Sequence, residues 1–209
     1  MARQNVIFIA ALIAGVSYFW GFHLLPPGAA LAAWKGAGVG SLALWAALNR
    51  ARGIALVLAL GALGDVLIDA AGLVAGALAF LAGHLVAIGF YRRHPRAALS
   101  PSQRALVWLL PGAVAFTAWA LVPDSTLAWQ VALYALALGG MAASAWASAF
   151  PRYWVGLGAM AFVASDLLLF ARLGPLKGSV VPDWGVWPLY FGGQAMIAWG
   201  AVRTLGRAR

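Results

Sequence analysis

Apolar residues run through this chain in unbroken stretches of about twenty, divided by short clusters of proline, glycine, amide and charged residues. Eight such stretches can be read, near 5–22, 29–48, 53–69, 72–91, 104–122, 127–150, 153–172 and 187–205. Each is long enough for a helix to cross the hydrocarbon layer, about 30 Å thick. A transmembrane barrel would alternate apolar and polar positions in segments of about ten. That alternation is missing, so the pattern predicts helices.

Breakers mark the joints: Pro26-Pro27-Gly28, Asn49-Arg50, His94-Pro95, Pro123-Asp124, Pro151-Arg152 and Pro182-Asp183. Between the third and fourth stretches only Asp69 and Gly72 intervene, which is the weakest boundary. Arg3 precedes the first stretch as in a signal peptide, but that run is long for one and seven more follow, so it is expected to be retained. The fold expected is an all-α integral membrane bundle of eight transmembrane helices, forming one domain over 1–209.

Composition agrees with the pattern. Of 209 residues, 64% are hydrophobic and 9% charged, and mean hydropathy is +0.89. A soluble domain carries roughly a quarter of its residues charged. Lipid must therefore be the solvent, and inside lipid the backbone has to satisfy its own hydrogen bonds.

Charge then sets direction. With the N-terminus in the cytoplasm, the inner segments hold Arg3, Arg50, Arg52, Arg92, Arg93, Arg96, Arg104, Arg152, Arg203, Arg207 and Arg209. Only Lys35, Arg172 and Lys177 lie elsewhere. Both termini are expected inside, and the expected location is the bacterial inner (plasma) membrane. The net charge of +9 does not point to nucleic acid, because the basic residues are scattered in short loops that face anionic lipid. Cysteine is absent, which excludes disulfides and thiolate metal sites.

One internal likeness is visible. The run Gly76-Ala77-Leu78-Ala79-Phe80-Leu81-Ala82-Gly83-His84 matches Gly158-Ala159-Met160-Ala161-Phe162-Val163-Ala164-Ser165-Asp166. The two lie in spans of opposite direction, as an inverted repeat of three helices would place them. Chance in a chain rich in Ala, Gly and Leu would give the same.

Glutamate is absent, and the acids are five aspartates. Asp124 and Asp183 fall in outer turns and read as solvated punctuation. Asp65, Asp69 and Asp166 fall within or at the end of apolar spans, where an acid is costly and marks a candidate site. At 1.5 Å per residue, Asp65 lies about 18 Å and Asp166 about 20 Å from the inner end of its span. Lys35 enters from the other side to nearly the same level. These groups form either an interhelical hydrogen-bonding pair with Lys35 as counter-ion, or a carboxylate dyad lining a cavity.

Asp69, on the same face as Asp65, reads as a residue of the mouth or a cap. His84 reads as a core histidine or a partner of the acids, and His23 and His94 as surface residues. Tyr190 and Gln194 share a helical face that can line a cavity or hydrogen-bond between helices. Ser165 beside Asp166 has neither a base nor a nucleophile elbow. A hydrolytic zinc site takes three His or carboxylate ligands. With one intramembrane histidine, no metal and no other cofactor is expected. The eleven Trp sit mostly near span ends, as interfacial belts do.

These motifs resemble the YhhN-type lysoplasmalogenases. The likeness is carried by Gly64-Asp65, Gly76-Ala77…Phe80…His84, Gly158-Ala159…Phe162…Ser165-Asp166, Tyr190-Phe191…Gln194 and Lys35. It covers nearly the whole chain, and the order and spacing of the motifs carry more than any one of them. Two departures stand out: Gly36 follows Lys35 where the family commonly has proline, and Asp69 has no clear counterpart.

The resemblance implies hydrolysis of the vinyl ether bond of a lysoplasmalogen, a lysophospholipid, to a fatty aldehyde and a glycerophospho-base. Asp65 and Asp166 would be the catalytic pair, with Lys35, His84, Tyr190 and Gln194 supporting them or binding substrate. Without the resemblance, the same acids leave three other readings open. One is a transporter or proton-coupled carrier, another a lipid-binding scaffold, and the third a hydrolase of lipid esters or amides.

Overall fold

In the computed structural model, residues 2–207 are described, with side-chain detail from residue 5. Arg209 and the side chain of Arg3, both counted in the charge argument, lie outside that description. Eight helices follow in order: α1 (Ala2–Leu24), α2 (Ala29–Leu48), α3 (Arg52–Ala71), α4 (Leu73–Arg92), α5 (Pro101–Leu121), α6 (Ser125–Ala147), α7 (Leu157–Ala171) and α8 (Val181–Arg207). A short π-helical segment, Arg152–Gly156, leads into α7. No strand occurs among the described residues.

Local chemistry explains the ends. Ser100 and Gln103 form a reciprocal capping box at the start of α5, with Pro101 in the first turn where its missing N–H costs nothing. Asp124 caps α6, its Oδ1 accepting from the Leu127 N–H at 2.7 Å. The weak boundary between α3 and α4 is a single residue: Gly72, at φ +94°, reverses the chain in a conformation that side-chain-bearing residues rarely adopt.

The eighth span starts earlier than the sequence suggests. Pro182-Asp183 does not separate it from the preceding loop but opens α8, since proline is tolerated in a first helical turn. Seven helices, α1 to α7 with its π-helical lead-in, are long and apolar enough to cross a membrane. α8 is longer still but less apolar. Its Trp187, Tyr190, Phe191, Gln194 and Ile197 are buried against α1, α2, α3 and α7 instead of facing lipid. A helix shielded by its neighbours does not need lipid-like hydropathy.

Short loops force consecutive helices to alternate in direction. The loop after α4 meets the loop after α6: Ala149 N–H donates to the His94 carbonyl at 2.8 Å and Arg96 N–H to Ala147 at 3.1 Å. At the opposite end, Gly174 packs on the Leu121 carbonyl and Pro123. One face therefore gathers Arg50, Arg92, Arg93, Arg96 and Arg152, as the charge pattern predicts.

α7 and α8 cross at Gly158 and Gly193. A Cβ on Gly158 would come within 2.6 Å of the Gly193 carbonyl oxygen, and one on Gly193 within 2.5 Å of that of Gly158. Without a hydrophobic drive between helices in lipid, such close backbone contact is a main source of association. It also fixes the height of Asp166 on α7 against Tyr190 on α8.

Candidate active site

Asp65 and Asp166 both turn inward, with 2% and 7% of their surface exposed. On α3, the Oδ2 of Asp65 accepts a hydrogen bond from the Tyr190 hydroxyl of α8 at 2.8 Å. Gln194 is buried one turn along α8 from the same tyrosine. A Cβ on Gly61 would stand 3.2 Å from the Gln194 amide nitrogen and 3.3 Å from the Tyr190 hydroxyl, so this glycine leaves them room.

On α7, the Oδ2 of Asp166 accepts from the Tyr134 hydroxyl of α6 at 2.8 Å. The same hydroxyl lies 3.1 Å from Nε2 of His84 on α4. A phenol has one proton. With that proton directed at Asp166, the His84 Nε2–H donates to the Tyr134 oxygen, which defines the neutral tautomer of the ring. The relay runs from His84 through Tyr134 to Asp166.

Aromatic rings form the wall beside both carboxyls. Tyr190 packs on Phe162 at 4.9 Å and on Phe80 at 5.7 Å between ring centroids. Phe80 and Phe162 meet edge to face at 6.0 Å, and His84 meets Phe162 at 5.1 Å. Matching positions of the two similar motifs thus converge here: Phe80 on Phe162, and His84 on Asp166 through Tyr134.

Lys35 is placed differently from its simplest reading as a direct counter-ion of the dyad. Its Nζ lies 3.6 Å from Asp69 Oδ2, with side-chain exposures of 14% and 40%. The pair stands at the outer edge of the site, while the Lys35 charge still reaches Asp65. Asp69 is therefore a partly exposed residue with a defined partner. Buried Tyr18, tilted against Trp187 at 4.4 Å between ring centroids, lies on the same side.

Other polar residues singled out in the sequence have local partners. Ser165 is fully buried and donates to the Val186 carbonyl. Asp183 pairs with Arg172. His23 and His94, expected at the surface, are half-buried, with a ring nitrogen of each on the carbonyl one turn back and the ring packed on an aromatic neighbour. Among the described residues, no three His, Asp, Glu or Cys side chains gather as metal ligands would.

Sequence reasoning passed over Tyr134. The signal was available, because a tyrosine well inside an apolar span must find a hydrogen-bond partner there. What one helix cannot show is that the partner is Asp166.

A family model, the YhhN family, matches residues 30–201, most of the chain. Every residue from Lys35 to Gln194 in the site lies within the match, and α1 lies outside it. No curated protein and no solved structure matches the chain.

Proposed function

The chain belongs to the YhhN family, and on that premise we propose that it is a membrane hydrolase cleaving the vinyl ether bond of lysoplasmalogens. The observation that carries the reading is the pair of buried carboxyls, each held by a tyrosine hydroxyl beside one aromatic wall.

A vinyl ether becomes cleavable once its double bond is protonated at the carbon remote from oxygen. The new C–H bond takes the π electrons, and the carbon attached to oxygen becomes an oxocarbenium ion. Water adds to that carbon and gives up a proton. The hemiacetal then collapses: its C–O bond to glycerol breaks, the glycerol oxygen takes a proton, and the hydroxyl proton leaves. One water is consumed, and an aldehyde and an alcohol are released.

This sequence needs one carboxylic acid and one carboxylate, the division of labour used in glycoside hydrolysis. Asp65 has the Lys35 cation within electrostatic range and serves as the carboxylate. It steadies the cation and accepts the proton from water. Among the described residues, Asp166 is hydrogen-bonded only through the neutral Tyr134–His84 relay, and it serves as the acid. In the collapse, Asp65 returns its proton to the glycerol oxygen and Asp166 regains one from the hemiacetal hydroxyl. The faces of Phe80, Phe162 and Tyr190 favour a passing cation. Tyr190 and Gln194 orient Asp65 and the water, and Lys35 at the mouth meets the phosphate.

The test is aldehyde release from an alkenyl-lysophospholipid by purified protein in detergent. Wild type should release aldehyde, and Asp65→Asn and Asp166→Asn should each lose about 10²–10⁴-fold in rate. No aldehyde from the wild type would overturn the activity and favour a carrier. Full rate in both variants would overturn the dyad.

A further inference from the structure

On the face opposite the mouth of the site, two arginines stand together without a carboxylate. All five aspartates of the chain lie in the outer halves of spans or in the opposite loops, so this face has no acidic residue. Arg96, in the loop after α4, is pinned by its own guanidinium, which donates to the Phe150 carbonyl at 2.9 Å. Arg152 opens the π-helical segment before α7, whose wide turn starts at Pro151. The two charges act on each other, and burial together with Arg152 lowers Arg96 from its ordinary value. Neither guanidinium gives up its proton under ordinary conditions.

Both Nε–H groups are buried and lack a hydrogen-bond partner. Beside Arg152 opens a cleft of about 420 Å³, lined also by Ser102, Gln103, Leu106, Trp146 and Tyr153. One side is cationic and polar. The other is apolar and continues into the lipid-facing surface, where Tyr153 is 80% exposed and Trp108 83%.

We propose that this cleft binds one anionic glycerophospholipid of the adjacent leaflet, its phosphate on Arg152 with Arg96 behind it and its chains along Leu106, Trp146 and Tyr153. Two like charges held together in a partly buried place need an anion, and the protein supplies none there. Guanidinium forks match phosphate oxygens in geometry as well as charge. The apolar wall favours a lipid over a free anion. The site lies across the membrane from the mouth at Lys35 and Asp69, so its occupant is distinct from the substrate proposed above.

The test uses delipidated protein in neutral detergent, with added phosphatidylglycerol, phosphatidylcholine or inorganic phosphate. Thermal unfolding and native mass spectrometry read the binding. Phosphatidylglycerol should raise the unfolding midpoint and remain bound as a single retained copy, with little effect from the other two. Arg152→Gln should weaken its binding about fivefold or more, on the scale of one basic contact to an anionic lipid. Lys177→Gln, on the opposite face, should leave it unchanged. Ser102→Glu keeps both arginines and adds a negative charge at the cleft, so it decides the matter if Arg152→Gln fails to fold. Equal binding of phosphatidylcholine, an equal shift from inorganic phosphate alone, or undiminished binding by Ser102→Glu would each overturn the proposal.

Discussion

The hydroxyl of Tyr134 on α6 donates to Oδ2 of Asp166 on α7 at 2.8 Å, and its oxygen lies 3.1 Å from Nε2 of His84 on α4. Three helices are tied by one phenol. In a lipid-surrounded core none of these groups has water to fall back on, so each depends on the other two.

Tyr134→Phe should therefore leave Asp166 and His84 buried and incompletely bonded. A lost hydrogen bond to a charged or acidic partner costs about 1.5–3 kcal/mol. The expected result is an aldehyde-release rate lowered about tenfold to a hundredfold, with KM little changed. His84→Phe should give a smaller loss, since it touches Asp166 only through the tyrosine. If Tyr134→Phe retains full rate, the relay has no part in the chemistry.

The proposed protonation step leaves an isotopic record. Run in D₂O, the reaction should place one deuterium on the aldehyde carbon next to the carbonyl, because the proton from Asp166 ends there. Mass spectrometry of freshly trapped aldehyde reads it. Product without that deuterium would exclude carbon protonation.

Lys35 and Asp69 should separate in their effects. The pair is partly exposed, so its contribution to stability is small, up to about 1 kcal/mol. Asp69→Asn should lower activity only modestly. Lys35→Gln removes the cation acting on Asp65 and the group proposed to meet phosphate, and should cost more in both kcat and KM. Equal kinetics for the two variants would place Lys35 outside the site's chemistry.

The crossing of α7 and α8 predicts a stability effect with a distinct signature. Gly158→Ala puts a Cβ only 2.6 Å from the Gly193 carbonyl oxygen, so backbone must move. Overpacking of this kind costs about 1–3 kcal/mol. A lowered unfolding midpoint with reduced activity is expected, while Gly112→Ala, where a Cβ meets open space, should change neither. An unshifted midpoint for Gly158→Ala would mean that the helices do not cross so closely.

No step of the proposed reaction runs through a metal. Excess chelator should leave the aldehyde-release rate unchanged, and a rate that falls with chelator and returns with a divalent cation would contradict the mechanism.

Much of this was legible in the chain alone. Unbroken apolar runs and breaker clusters determined the helices, since lipid leaves the backbone no alternative. The distribution of arginine determined which loops share a face. Asp65 and Asp166 stood out because an acid in an apolar span is costly enough to require a reason. The expectation that they share a depth followed from the rise per residue.

The sequence stopped at what a single helix can tell. Pro182-Asp183 reads as a break in one dimension, yet α8 begins there, and the helix whose hydropathy least suggests a span buries one face against four others. Depth follows from counting along a helix, but rotation about the helix axis and the choice of neighbour depend on packing. Only the tertiary structure could therefore decide that Lys35 meets Asp69, that Tyr190 holds Asp65, and that Tyr134 joins His84 to Asp166. Those partners come from different helices, two of the pairs from helices that are not consecutive, brought together by close contacts such as that of Gly158 with Gly193.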